Sequence, residues 1–208
     1  MKELIQLGLI PFNISVLRSL FSSYNFPNDK IQALENEGKL IRLKKGMYVV
    51  SPYVSGELLS EELIANHLYG PSYVSMESAL RYYGLIPEKV FTVRSATTNR
   101  SRKFGNSIAS FQYVSVREDY YSIGINQKMV DNKYTFLIAS PEKALCDLIV
   151  TTPHINFQSV KAVETYLEDY LRLDMPAFLA MDKGIIEQCG ATGKKKKALE
   201  LLLKLLSR

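Results

Sequence analysis

The chain is poor in the residues that most often do chemistry. It has two cysteines and two histidines in 208 residues. Cys146 and Cys189 lack C-x-x-C spacing and are too few for a disulfide framework, so they read as buried thiols in a reducing cytoplasm. His67 and His154 are far apart in sequence and fit no metal-ligand pattern. Walker A, G-x-G-x-x-G and G-x-S-x-G motifs are missing. Together these gaps predict no enzyme, no catalytic residue, no metal and no cofactor. No segment approaches the ~18 apolar residues of a membrane span. The opening MKELIQLGLIPFNI lacks the apolar core and cleavage site of a signal peptide. The expectation is a soluble cytoplasmic protein with no membrane partner.

What the chain does have is an ordinary globular composition with a basic bias. It is 47% hydrophobic and 23% charged, with a net charge of +5. Such a balance argues against disorder and is compatible with nucleic acid. The cations cluster in three segments: residues 1–54, Arg81 to Lys103, and Lys194 to Arg208. The length suits one sizeable domain, or a small domain followed by a medium one.

The N-terminal pattern is specific. In NISVLRSLFSS, Ile14, Leu17, Leu20 and Phe21 fall on one helical face behind a capping Asn13. A YNFP turn precedes a second helix, entered at Pro27 and stopped at Gly38, with Ile31 and Leu34 inward. Leu40–Leu43 and Met47–Val50 read as two strands around a Lys44-Lys45-Gly46 turn. With Met1–Leu9 as a first helix, this order predicts a winged helix-turn-helix over residues 1–54. A duplex major groove accepts one helix, while an adjacent hairpin reaches the backbone. Asn28, Lys30, Gln32 and Ala33 are the candidates to face the groove. Arg42, Lys44 and Lys45 are the candidates to grip phosphates. Ordinary exposed residues and a solvated turn are the alternatives, and Asp29, Glu35 and Glu37 work against DNA.

Residues 55–208 predict a larger α+β domain, with a mostly antiparallel sheet and C-terminal helices. Helices are expected over Leu58–Leu68 and Val74–Tyr83. Strands are expected at VFTVRSATT, Phe111–Val116, Ile123–Gln127 and Tyr134–Ala139, with a basic loop over Asn99–Gly105. Helices follow over Pro141–Val150, Ser159–Leu171, Pro176–Gln188 and Lys194–Leu206. Arg81, Arg94, Arg100, Arg102 and Lys103 form a secondary basic group that either extends a DNA footprint, contacts a partner or is solvated surface. Glu142, Lys143 and Asp147 hint at a carboxylate site, but read more simply as an N-terminal acid and exposed neighbours on a helix.

Three ordered segments carry a resemblance. They are Gly38-Lys39-Leu40-Ile41-Arg42-Leu43-Lys44-Lys45-Gly46-Met47-Tyr48, then YVSMESALRYYGLIPE (residues 73–88), then SPEKALCDLI (residues 140–149). In this order the chain resembles the AbiEi family, antitoxins and transcriptional regulators of abortive-infection toxin–antitoxin systems. Here YNFPNDK stands where that family has a shorter turn. The resemblance implies a DNA-binding autorepressor acting on inverted repeats, with two copies on paired half-sites, and a C-terminal antitoxin domain. It also implies a nucleotidyltransferase-like toxin as functional partner, antagonised without a stable complex. Two other readings stand beside it: a protein-interaction module with a degenerate winged helix, and a nuclease-like or nucleotide-handling enzyme.

Overall fold

The computed structural model describes residues 2–88 and 91–208. Two sequence expectations reach outside that range, through Met1 of the first helix and Val90 of the VFTVRSATT strand.

The N-terminal unit begins with a short helix, α1 (Lys2–Ile5), and a two-residue strand, β1 (Phe12–Asn13). The expected first helix is therefore much shorter than Met1–Leu9, because residues 6–10 turn back toward β1. Next come α2 (Ile14–Leu20) and α3 (Pro27–Asn36). Pro27 opens α3 where its missing N–H costs nothing. Gly38 ends it at φ 68°, donating to the Glu35 carbonyl while Lys39 N–H reaches back to Leu34 O. That paired closure satisfies carbonyls a bare helix end would leave open. Strands β2 (Leu40–Lys44) and β3 (Met47–Val50) form a hairpin, and β1 joins its far side in the order β1-β3-β2.

Period-2 alternation makes this hairpin two-faced. Leu40, Tyr48 and Val50 point into a small core with Leu4, Leu17, Phe21, Ile31, Leu34 and Val54. Leu43 and Val49 point the other way, into the core of the larger unit. The hairpin is thus a shared wall between the two cores. A bulge between Arg42 and Lys44 leaves Leu43 without a direct opposite and sets Lys44 across from Met47. The bulge turns Lys44 toward the larger unit.

A short helix, α4 (Pro52–Ser55), occupies the expected boundary segment, and α5 (Glu61–Leu68) follows. The larger unit holds a six-stranded sheet in the order β6-β7-β5-β4-β9-β8. Its strands are β4 (Ser72–Val74), β5 (Thr92–Thr97), β6 (Arg102–Gly105), β7 (Ser110–Ser115), β8 (Ile125–Val130) and β9 (Tyr134–Ala139). The sheet is mixed: β4–β9 and β5–β7 are parallel, and the other three pairings are antiparallel. Two expectations are corrected here. Residues 72–74 form a central strand before α6 (Met76–Tyr82) begins, because β5 and β9 both pair with them. Most of the expected Asn99–Gly105 loop is strand β6, paired to β7 through Arg102↔Tyr113.

Helix α5 lies on the Tyr113 face of the sheet, where the Tyr113 hydroxyl donates to Ala65 O at 2.6 Å. The opposite face carries α8 (Pro141–Thr151), which packs against α6. Around them lie α7 (Glu118–Tyr121), α9 (Val160–Thr165), α10 (Met175–Leu179), α11 (Lys183–Thr192) and α12 (Lys196–Leu206). A π-helical turn (Tyr166–Tyr170) extends α9. The expected Pro176–Gln188 helix is split, since the Asp182 carboxylate caps a fresh start by accepting from Gly184 N–H at 2.8 Å. Helix α12 buries Ala198, Leu199, Leu202, Leu205 and Leu206 beneath its lysines. Among the described residues, no helix is long and apolar enough to cross a membrane.

Candidate nucleic-acid interface

Helix α3 has one buried side, Ile31 and Leu34, and an open polar side. Asn28, Asp29, Gln32 and Asn36 are exposed, whereas Lys30, Ala33 and Glu35 are half-buried. Asn28, Gln32 and Asn36 recur every four residues and so form one stripe. The stripe is internally bonded. Gln32 Nε2 donates to Asn36 Oδ1 at 3.1 Å, and Arg18 Nε of α2 donates to Asn28 Oδ1 at 3.1 Å. Arg18 and Asn36 were missed in the sequence, although the four-residue spacing signals Asn36. Lys30 instead leans back, its Nζ 5.6 Å from the Tyr24 ring centroid. Ala33 is a small residue beside the stripe and supplies no polar group.

The three hairpin cations part company. Arg42 stays on the α3 side, bonded to Glu35 at 2.6 Å and lying 5.7 Å from the Tyr48 ring centroid. The Glu35 bond raises the Arg42 pKa above its ordinary value. This pair links β2 to α3 and neutralises the Glu35 carboxylate. Lys45 is exposed at the turn. Lys44, re-aimed by the bulge, donates to Leu68 O at 2.6 Å and sits 5.8 Å from the Phe104 ring centroid. Burial, then the neighbouring Arg102, lowers its pKa. Its ammonium ties the hairpin to the larger unit.

The secondary basic group also divides. Arg94 is held by both oxygens of Glu77, at 2.8 and 2.6 Å, and Arg81 donates to Glu88 O at 2.8 Å. Both are committed within the larger unit. Arg100, Arg102 and Lys103 are exposed on or just before β6. Arg102 lies over Phe104, 5.1 Å from its centroid, and near Tyr69 at 5.9 Å. Lys103 alternates to the other side of the strand, in a hollow with Thr92 and Gln112.

The Glu142, Lys143 and Asp147 group departs from its sequence reading. Glu142 is partly open and accepts from Asp182 N–H at 3.2 Å. Lys143 and Asp147 are not exposed neighbours: both side chains are 0% exposed, 3.2 Å apart. Asp147 accepts from the Tyr73 hydroxyl at 3.0 Å and the Ser75 hydroxyl at 2.6 Å. Lys143 donates to Tyr120 O at 2.8 Å and lies 3.2 Å from the Tyr120 ring centroid. Burial, then the Asp147 charge, pushes the Tyr73 hydroxyl far above its ordinary pKa. This cluster binds α8 to β4 and α7. Gly124 packs so closely that a Cβ there would come within 2.9 Å of Lys143 Cβ. Cys146 and Cys189 are both free and buried beside it. Among the described residues, no three of His, Cys, Asp and Glu converge as a metal-binding group.

The chain matches no family model and no curated protein sequence.

Proposed function

We propose that this protein is a sequence-specific DNA-binding transcriptional regulator, an autorepressor whose N-terminal unit is a winged helix. On this reading it is also an AbiEi-type antitoxin. The observation that carries the DNA reading is the open amide stripe of α3 beside exposed Arg42 and Lys45. Asn and Gln side chains can pair bidentately with adenine in the major groove. The order helix, strand, helix, helix, hairpin, with β3 between β1 and β2, supports the winged-helix reading. The antitoxin role rests on the three-segment AbiEi resemblance alone. That resemblance also carries a nucleotidyltransferase-like toxin as partner and two copies on paired half-sites.

The test is fluorescence anisotropy with DNA from upstream of the gene and with a scrambled duplex, across a salt series. Preference for the upstream sequence, with affinity falling steeply as counterions are released, is the expected result. Equal affinity for both duplexes would sink the reading. Replacing Arg42 and Lys45 with Ala should weaken both duplexes alike, as phosphate contacts do.

A second reading, a protein-interaction module, is favoured by one observation. Phe26 and Tyr24, at the entry to α3, are 72% and 48% exposed. Loss of upstream DNA binding on Gln32→Ala, with Phe26→Ser neutral, decides against it.

A further inference from the structure

We infer that β6 carries a second contact for the DNA backbone, so that a duplex seated on α3 continues past the hairpin turn across Arg102 and Arg100. This inference rests on the DNA-binding reading above. Its starting point is the meeting of two basic segments far apart in sequence. Lys44 and Arg102 both lie over the Phe104 ring, at 5.8 and 5.1 Å, and the Arg100 carbonyl accepts from the Tyr69 hydroxyl at 3.1 Å.

Between hairpin and strand runs a groove of about 520 Å³. Arg42, Lys44 and Lys45 line one wall, and Gly105, Asn106 and Ser107 line the other. Asn106 fixes the second wall by donating to Leu43 O at 3.3 Å and accepting from Ile108 and Ala109 N–H. Glu35 is the one carboxylate among the lining residues, and it is already paired to Arg42. No ion pair of Arg100, Arg102 or Lys45 occurs among the described residues.

Like charges held together without a counter-charge cost free energy, which an anion relieves. Burial is the main cause of the lowered Lys44 pKa, and the Arg102 charge adds to it. The Phe104 and Tyr69 rings lie 5.1 and 5.9 Å from the Arg102 guanidinium, and a guanidinium beside aromatic rings keeps N–H donors for a phosphate. The cations of the groove come from the hairpin, and Arg102 joins them through the Phe104 ring that it shares with Lys44, an array that fits a polyanion with evenly spaced charges. Duplex DNA supplies one charge about every 1.7 Å of axis. Strand alternation adds a built-in control, because Lys103 faces away from this strip.

The test compares the wild type, Arg100→Gln/Arg102→Gln, and Lys103→Gln on upstream DNA and on a scrambled duplex of equal length. The double variant should lose affinity by the same factor on both duplexes. Its salt slope should shrink by about 1 to 2, since each lost phosphate contact removes about 0.9. Lys103→Gln should keep the wild-type slope, and Arg100→Lys/Arg102→Lys should recover most of it. A double variant with wild-type slope and affinity, or a Lys103→Gln loss of equal size, would overturn the inference. Failure of the underlying reading looks different: the wild type itself then shows no preference for upstream DNA, and the strip falls with it.

Discussion

Helices α3 and α8 start alike and end in opposite environments. Both open with proline, both carry an acid in the first turn, and both mix lysine and carboxylate with apolar residues. Helix α3 buries only Ile31 and Leu34, whereas α8 buries every residue from Lys143 to Ile149. The difference lies in what surrounds them. Helix α3 leans on α2 and the hairpin and leaves one side to solvent. Helix α8 is enclosed by α6, α11, α12 and the sheet. The same residue types are therefore open to solvent in one helix and locked as structure in the other.

The strongest way to break this contrast is to remove one charge from α8. Asp147→Asn or Lys143→Met strands the partner charge in the core, at a cost of about 3–5 kcal/mol. For a chain of this size the melting midpoint should fall by on the order of 10 °C. A calorimetric midpoint equal to wild type would show that the pair is not the anchor of α8.

Helix α3 should respond by face. Leu34→Ala removes a contact from the small core and should cost about 2 kcal/mol, near the low end for such truncations because the site is peripheral. Denaturant midpoints at unchanged slope are the measurement. Gln32→Ala, on the open side, should leave stability within about 0.5 kcal/mol. It should nevertheless cost upstream DNA about 1–3 kcal/mol and scrambled DNA little. Equal losses on both duplexes would remove Gln32 from base reading.

The smallest effect sharpens the comparison most. The Glu35–Arg42 pair is partly exposed and contributes under about 1 kcal/mol. Glu35→Gln should barely move the melt. It should tighten DNA binding severalfold, by freeing Arg42 and removing a carboxylate that repels phosphate. Weaker binding in anisotropy would mean that Arg42 needs Glu35 for its placement.

Much of the fold was legible because it depends on local pattern. The period of Leu17, Phe21, Ile31 and Leu34 marked the inner sides of α2 and α3, and Gly38 marked the end of α3. The hairpin was visible as two β-prone runs around Lys44-Lys45-Gly46, although Lys44 is the last residue of β2 rather than part of the turn. Less legible was β4, whose three residues are strand only because β5 and β9 flank them. Strand β6 looked like a loop, since Arg102 and Lys103 resemble solvated residues. Of the candidate site, the amide stripe and the exposed Arg42 and Lys45 follow from spacing. The loss of Lys44 does not, because a bulge shifts alternation by one residue and its own sequence does not announce it.

By itself the sequence determined helices, caps, turns and the inward side of each short element, since these arise from neighbours within a few residues. Tertiary structure alone decided which charges remain available. The fate of a lysine ammonium depends on groups that arrive from distant parts of the chain. Leu68 and Phe104 claim Lys44, Tyr120 and Asp147 claim Lys143, and among the described residues nothing comparable reaches Lys45.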